Sequence, residues 1–231
     1  TVIPSAVLFQ AETNTLSGSS NALVLGNDVH ISGNSSINLT GSDMTQAQIG
    51  ALSIDTAKTL TVSTDSVGND AGFGKTLRVS GTTTLGTSAG TVNLVANANV
   101  AFDGPVTDNG NAVTVIKTGS GRMIFDQTTT ANSLSSASFI ETQGGDIVLV
   151  GSTADNASNP IGSATIKLNG GGLILDSKGA NGTLGPVFGN SLYVMQNATL
   201  QSIVNAATTT FGGSSNQLSI ASGRTLTLDA I

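Results

Sequence analysis

Acidic side chains are the residues of this chain whose type and spacing come nearest to catalytic chemistry. Cleavage of a polysaccharide by acid–base catalysis needs two or three neighbouring carboxylates beside an Arg or a Lys. Asp126 and Asp176 each end an apolar run, I-F-D and I-L-D, so they would stack at equivalent corners if the chain repeats. A solvated carboxylate that ends a strand and discourages edge pairing explains both residues more simply. The other acids of this region are scattered, at Asp103, Asp108, Asp146 and Asp155.

The chain has one histidine, His30, and any Ser–His–Asp nucleophile would have to use it. His30 lies in D-V-H-I, where apolar and polar residues alternate as they do in a half-buried strand. This alternation predicts that His30 faces solvent. We therefore expect no nucleophilic catalysis, and no catalytic residue of any other kind.

Residues 68–76, G-N-D-A-G-F-G-K-T, come close to the spacing of a phosphate-binding loop. That loop needs Gly, four residues and then Gly-Lys-Thr, but the first position is occupied here by Asn69. The following L-R-V predicts a strand, so no helix N-terminus would face a phosphate. We expect no bound nucleotide, no other cofactor and no metal ion.

Composition excludes several classes of function. Charged residues make up only 10% of the 231 residues, and the formal net charge is -6 with eight Lys and Arg, so no basic surface can neutralise nucleic acid. No apolar run approaches a membrane-spanning length. The chain contains no cysteine, which excludes disulfides and thiolate chemistry. The first residues, T-V-I-P, lack the features of an export signal, and we expect a mature or excised piece.

A repeated strand–corner–strand unit organises the chain. Apolar runs at residues 113–116 and 123–125 flank the polar corner K-T-G-S-G, in which glycine permits positive φ. The sequence L-S-I-D-T-A-K-T-L-T-V at residues 52–62 returns as L-S-I-A-S-G-R-T-L-T-L at residues 218–228. Similar apolar landmarks recur 17 to 30 residues apart, at Leu60, Leu77, Leu94, Ile124, Ile147, Leu173, Leu200 and Leu226. Such a period is typical of a repeat architecture.

The repeat predicts an all-β protein with a right-handed parallel β-helix. Helical repeats are excluded because no helical periodicity accompanies the period, and a propeller blade needs about 40 residues. A β-sandwich is the alternative, although sandwiches prefer aromatic cores and only 3% of this chain is aromatic. Residues 1–50 form less regular N-terminal coils or a cap, with one short helix predicted at residues 42–49. Residues 51–231 form the β-helix repeats, and we expect both parts to be continuous as one domain.

Residues 115–125, V-I-K-T-G-S-G-R-M-I-F, resemble the strand repeat of autotransporter (type V secretion) passenger domains. G-D-I-V-L and G-G-G-L-I-L, at residues 145–149 and 170–175, resemble the strands that follow it. The resemblance implies a passenger exported across the outer membrane of a Gram-negative bacterium to the cell surface or the medium, often as an adhesin or virulence factor. Within such a coil, Lys117 and Arg122 are expected to be solvated corner residues.

Three functions therefore stay open. The first is a non-enzymatic stalk or adhesin whose partner is a protein or glycan receptor on a host cell or in the extracellular matrix. The second is a structural subunit that assembles end to end with other copies into a surface filament or S-layer, because the end coils of a β-helix offer unpaired edges. The third is a polysaccharide-cleaving β-helix enzyme that uses Asp126 and Asp176.

Overall fold

The computed structural model describes residues 6–9, 13–17, 22–65, 75–126, 132–151, 160–177, 187–203, 210–211 and 217–230. These ranges contain 25 strands and no helix. The strands are β1 (Ala6–Phe9), β2 (Thr13–Ser17), β3 (Ala22–Val24), β4 (Asp28–Ile31), β5 (Ser35–Thr40), β6 (Gln46–Ile49), β7 (Leu52–Ile54), β8 (Thr59–Thr64), β9 (Thr76–Val79), β10 (Thr83–Leu85), β11 (Gly90–Ala96), β12 (Asn99–Phe102), β13 (Val106–Thr107), β14 (Val113–Thr118), β15 (Met123–Asp126), β16 (Phe139–Thr142), β17 (Asp146–Gly151), β18 (Thr165–Leu168), β19 (Gly172–Ser177), β20 (Val187–Phe188), β21 (Leu192–Val194), β22 (Ala198–Ile203), β23 (Thr210–Phe211), β24 (Leu218–Ile220) and β25 (Leu226–Ala230).

The strands form three long parallel sheets. The first sheet has the order β1-β4-β7-β10-β13, the second β2-β5-β8-β11-β14-β16-β18-β21-β24, and the third β3-β6-β9-β12-β15-β17-β19-β22-β25, while β20 pairs with β23. From β1 to β15 the chain visits the three sheets in turn, and from β16 onward it alternates between the second and third sheets, with β20 and β23 paired separately. Each coil therefore stacks on the one before it. This is the predicted parallel β-helix. The β-sandwich alternative is wrong, because a sandwich is built of antiparallel sheets and every strand pair described here is parallel.

The interior is a set of columns in which one side chain from each coil stacks on the next. In β5 and β14 buried and half-buried residues alternate along the strand, so every second side chain points inward. Leu173 pairs in register with Ile147 below it and Leu200 above it. Burial of such aliphatic columns, at about 25 cal/mol per Å² of apolar surface, supplies the main favourable term of folding.

Residues 42–49 do not form the predicted helix, since Gln46–Ile49 is strand β6 of the third sheet. In Q-A-Q-I the residues Ala47 and Ile49 are buried and the two glutamines are half-buried. This alternation with a period of two suits a strand that covers the interior, and it overrides the helix-capping signal before it. Strands β1 to β6, from residues 1–50, pair into the same three sheets as the rest of the chain.

The spacing of the apolar landmarks in the sequence combines steps between sheets with steps between coils. Leu60 belongs to the second sheet and Leu77 to the third, so the landmark steps of 17 residues connect different sheets instead of equivalent points on successive coils. Residues 52–62 turn from the first sheet into the second, whereas residues 218–228 turn from the second into the third. The two segments nevertheless share one turn, because Ala57 and Gly223 both have positive φ, of 61° and 71°.

Corners between the second and third sheets stack tightly along the middle of the helix. Gly119 has a φ of 81°, and a side chain there would collide with the carbonyl oxygen of Ala96 on the preceding coil. Gly171 has a φ of 86°, and a side chain there would collide with the carbonyl oxygen of Gly145. Glycine is therefore required at these corners both for its conformation and because the coils approach so closely.

Candidate functional site

Asp126 and Asp176 share one column of the third sheet but are not neighbours. Asp126 pairs in register with Val150, and Val150 pairs with Asp176. Two strand spacings of about 4.8 Å therefore separate the two backbones. The stacking at equivalent positions was predicted correctly, but the two carboxylates are not on adjacent coils, which is where the acid–base hypothesis needs them.

The carboxylates that do meet across adjacent coils are Asp103 and Asp126. Arg78 Nε and Nη2 donate to the two oxygens of Asp103, at 2.8 and 2.6 Å. The same guanidinium lies 3.9 Å from Asp126 Oδ2. Sequence analysis missed this pairing, although the repeated F-D at residues 102–103 and 125–126 is a signal for it.

The cluster of Arg78, Asp103 and Asp126 joins successive coils. The bidentate contact with Arg78 holds both oxygens of Asp103 in an ion pair, which competes with the uptake of a proton from a substrate. The side chain of Asp126 is only 8% exposed, which leaves little access for a polysaccharide. Arg78 therefore balances two carboxylates and connects three successive coils.

His30 faces outward from β4 between buried Val29 and Ile31. Its Nε2 lies 2.8 Å from Asp55 Oδ1 on the next coil. Residues 86–90, G-T-S-A-G, have the spacing of a serine nucleophile elbow, which sequence analysis overlooked. That segment is a corner between β10 and β11, where Ser88 bonds to Thr56.

The order of these groups along the helix does not suit a catalytic triad. His30 is on the coil of β4, Asp55 on the coil of β7 and Ser88 on the coil of β10. A triad needs the histidine between the serine and the acid, whereas here the acid lies between the other two.

The segment close to a phosphate-binding loop continues into strand β9, as predicted, and not into a helix. Residues 66–74 lie outside the described residues. Lys75, which would hold the phosphate, is 4% exposed and donates to Asp65 Oδ1 at 2.7 Å. This hydrogen bond lowers the pKa of Asp65, with a further contribution from the Gly41 amide. Lys75 therefore forms an ion pair with Asp65 and is not available to a phosphate.

Lys117 is not the solvated corner residue that the sequence predicts. It is the fifth residue of β14 and points into the helix, where its exposure is 0%. Its neighbours in the column are Leu94 and Thr142. Nζ donates to the carbonyl oxygens of Gly119, at 3.1 Å, and Gly144, at 2.5 Å.

Burial lowers the pKa of Lys117 to about 8, against the opposing influence of the negative charge of Asp146. An amine with such a pKa is a potential nucleophile, but here no substrate can reach it. Lys117 instead donates hydrogen bonds to buried corner carbonyls of two coils, and it shares the Gly144 carbonyl with the Thr142 hydroxyl.

Asp108 forms a second buried polar contact, at the corner between the first and second sheets. Its carboxylate accepts from the Ser135 amide at 2.7 Å, from Ser138 Oγ at 2.6 Å and from the Gly110 amide at 2.8 Å. Burial raises the pKa of Asp108, but these hydrogen bonds outweigh it and the pKa is lowered. With an exposure of 0%, Asp108 joins two stacked turns and is not accessible to a substrate.

Arg122 and Asp146 form a further charged pair between adjacent coils. Arg122 precedes β15 and its Nε lies 3.7 Å from Asp146 Oδ2, so this predicted corner residue is partly solvated and paired. Asp155 lies outside the described residues. Over the ranges that the structure describes, no three His, Asp or Glu side chains converge as a metal site would need. Within the same ranges, no helix has the length and apolarity to cross a membrane.

Comparison with known proteins finds no family model, no curated protein and no solved structure that matches this chain.

Proposed function

We propose that this chain is a non-enzymatic passenger of the autotransporter type, exported across the outer membrane of a Gram-negative bacterium. At the cell surface or in the medium it serves as a stiff stalk or adhesin that presents a binding surface to a host-cell or extracellular receptor. The observation that supports this best is the stack of glycine-containing corners at residues 119–121, 143–145 and 169–171. The first of these corners is the G-S-G that ends the K-T-G-S-G motif behind the resemblance.

The contacts between coils favour a stiff stalk. Parallel ladders join each coil to the next, and buried Lys117 and Asp108 add hydrogen bonds across coils at two corners. In a repeat protein of this kind, stability is approximately a sum of such neighbour terms. A rod that resists local opening also resists proteolysis, because cleavage needs a locally unfolded segment.

The test of this function is saturable binding to surfaces. Fluorescently labelled protein is titrated onto cultured epithelial cells and onto wells coated with fibronectin or collagen, with heat-unfolded protein as the control. We expect saturable binding that unlabelled folded protein competes away. Absence of saturable binding on every surface would refute the adhesin role.

The same preparation tests the enzyme alternative. Acidic and neutral polysaccharides are incubated with the protein and with Asp103→Ala, Asp126→Ala and Asp176→Ala, and reducing ends are measured. We expect no cleavage by any of the four proteins. Cleavage that disappears in one of these variants would overturn the non-enzymatic proposal.

Self-assembly is a second candidate function, and exposed leucines on the coil of β24 and β25 favour it. Leu218 and Leu228 lie in register with buried columns, yet their exposures are 59% and 73%. A coil stacked on β24 and β25, formed by another copy or by further residues of the same chain, would cover both. Electron microscopy over a concentration series distinguishes the two functions. Long fibres that Leu228→Glu abolishes would support assembly, and discrete monomeric rods would exclude it.

A further inference from the structure

A shallow groove of about 330 Å³ crosses the outer face of the third sheet. It spans four successive strands, β17, β19, β22 and β25, at the end of the sheet where each strand begins. Its walls carry a carboxylate, an amide and two hydroxyls over a floor of glycine backbone. The lining residues are Asp146, Gly171, Gly172, Asn197, Ala198, Thr199 and Thr227.

The groove exists because one position in an outward-facing column of side chains is a glycine. Asp146, Gly172, Thr199 and Thr227 pair in register, one from each coil. A side chain at Gly172 would place its Cβ 2.8 Å from Asp146 Oδ1 and 3.2 Å from the carbonyl oxygen of Thr199. Its φ is not positive, so glycine is required at this position for space and not for backbone conformation.

The two oxygens of Asp146 face different surroundings. Oδ2 lies 3.7 Å from Arg122 Nε, on the side away from the groove. Oδ1 is the oxygen that lies over Gly172, within the groove. Arg122 balances the charge of the carboxylate, so the groove offers a strong hydrogen-bond acceptor without the excess negative charge that would favour a cation.

Thr199 and Thr227 add hydroxyl groups that complement the acceptor oxygen of Asp146. Both residues are exposed, and neither hydroxyl has a hydrogen-bond partner within the described part of the chain. A hydroxyl can both donate and accept a hydrogen bond, whereas Asn197, whose Oδ1 accepts from the Thr225 amide, offers its Nδ2 as a donor. None of the lining residues is a Lys or an Arg, which disfavours a phosphate or a carboxylate ligand.

We propose that this groove binds one sugar unit of a neutral glycan. Adjacent ring hydroxyls donate to Asp146 Oδ1 and exchange hydrogen bonds with Thr199 and Thr227, while the ring lies against the backbone of Gly171 and Gly172. The volume is at the lower end of the range for small-ligand sites, which suits a single ring. This inference rests on the proposed adhesin function and names the ligand class of that surface.

The probes are glucose, galactose, mannose, N-acetylglucosamine, lactose and maltose, titrated at millimolar concentration into the isotopically labelled chain. Amide chemical shifts are followed by NMR. We expect at least one sugar to give saturable shifts at Gly171, Gly172, Thr199 and Thr227. Thr199→Val and Thr227→Val keep the side-chain shape and should each weaken binding about fivefold, the effect of one neutral hydrogen bond.

Gly172→Ala places a methyl group at the bottom of the groove and should abolish the sugar-induced shifts. The control Thr114→Val removes an outward hydroxyl from the second sheet and should leave the affinity for sugar unchanged. If Gly172→Ala does not fold, the two valine variants carry the test. The proposal is overturned if no sugar of the panel gives saturable shifts, if the shifts fall elsewhere, or if Thr114→Val weakens binding as much as the groove variants do.

The two proposals can fail separately. If no sugar gives saturable shifts but wild-type protein and the groove variants bind cells equally well, the sugar site is refuted and the adhesin function stands. If wild-type protein binds no cell or matrix surface, the adhesin function is refuted whatever the sugar titration gives.

Discussion

Replacing Lys117 by methionine should change how the free energy of unfolding of the β-helix depends on pH. The unbranched methionine side chain fits the inward column between Leu94 and Thr142 and carries no charge. Its cost is the loss of the two hydrogen bonds from Nζ to corner carbonyls. That cost does not depend on pH, whereas the cost of burying an ammonium group does.

The size of the pH effect follows from the pKa of Lys117. Burial lowers this pKa from 10.5 to about 8 in the folded chain. The unfolded chain therefore binds more protons between these two values, and the free energy of unfolding rises with pH across this interval. At 1.36 kcal/mol per pH unit, wild type should gain about 3 kcal/mol relative to Lys117→Met as pH rises from about 7 to about 10.5.

The assay is urea unfolding followed by far-UV circular dichroism at several pH values between about 7 and 10.5. Every other titrating group is common to both proteins, so it cancels in the difference between the two. Leu94→Met is the matched control, since it alters the same column without a titrating group. A difference between wild type and Lys117→Met that stays flat over this range, or falls with rising pH, would refute the account of Lys117.

Three further predictions concern other contacts between coils. Asp108→Asn should reduce the free energy of unfolding by about 2 kcal/mol at neutral pH. Because the pKa of Asp108 is lowered by folding, this deficit should shrink as pH falls through and below the ordinary value of 3.8, and a constant deficit would contradict it. Gly171→Ala and Gly110→Ala both place alanine at positive φ, 86° and 78°, but only at Gly171 does the new Cβ meet backbone. Thermal unfolding should show Gly171→Ala to be the less stable by about 2 kcal/mol or more, and equal losses would exclude close coil stacking as the cause. Arg78→Lys cannot keep both bonds to Asp103 and should cost about 1 kcal/mol in urea unfolding, whereas an unchanged midpoint would show that the cluster does not stabilise the fold.

Local sequence predicts the strands well and their place in the coil poorly. Strands β14 and β15 lie where the runs at residues 113–116 and 123–125 place them, because apolar runs flanked by glycine determine strands locally. Residues 52–62 and 218–228 are identical at six of eleven positions and share a turn, yet they occupy different corners. Which corner a segment forms depends on the coil beneath it, and this information is not local.

The polar interior is the part that sequence reasoning could not reach. A lysine beside K-T-G-S-G is expected to be solvated, and only the three-dimensional path of the corner shows that carbonyl oxygens surround Lys117. The groove at Gly172 has a similar origin. Its residues are 26 to 28 positions apart along the chain and meet only through the register of four strands.

The proposed stalk depends on one claim above all, that the coils form a single stiff stack in the register described. The chain has no cysteine, so spin labels can be attached at Thr59→Cys and Ser219→Cys alone. These residues lie in one outward column of the second sheet, six strand spacings apart. At about 4.8 Å per strand, double electron–electron resonance between the two spin labels should give one narrow distance distribution centred near 29 Å. A broad distribution, or a centre far from this value, would contradict the stacked rod.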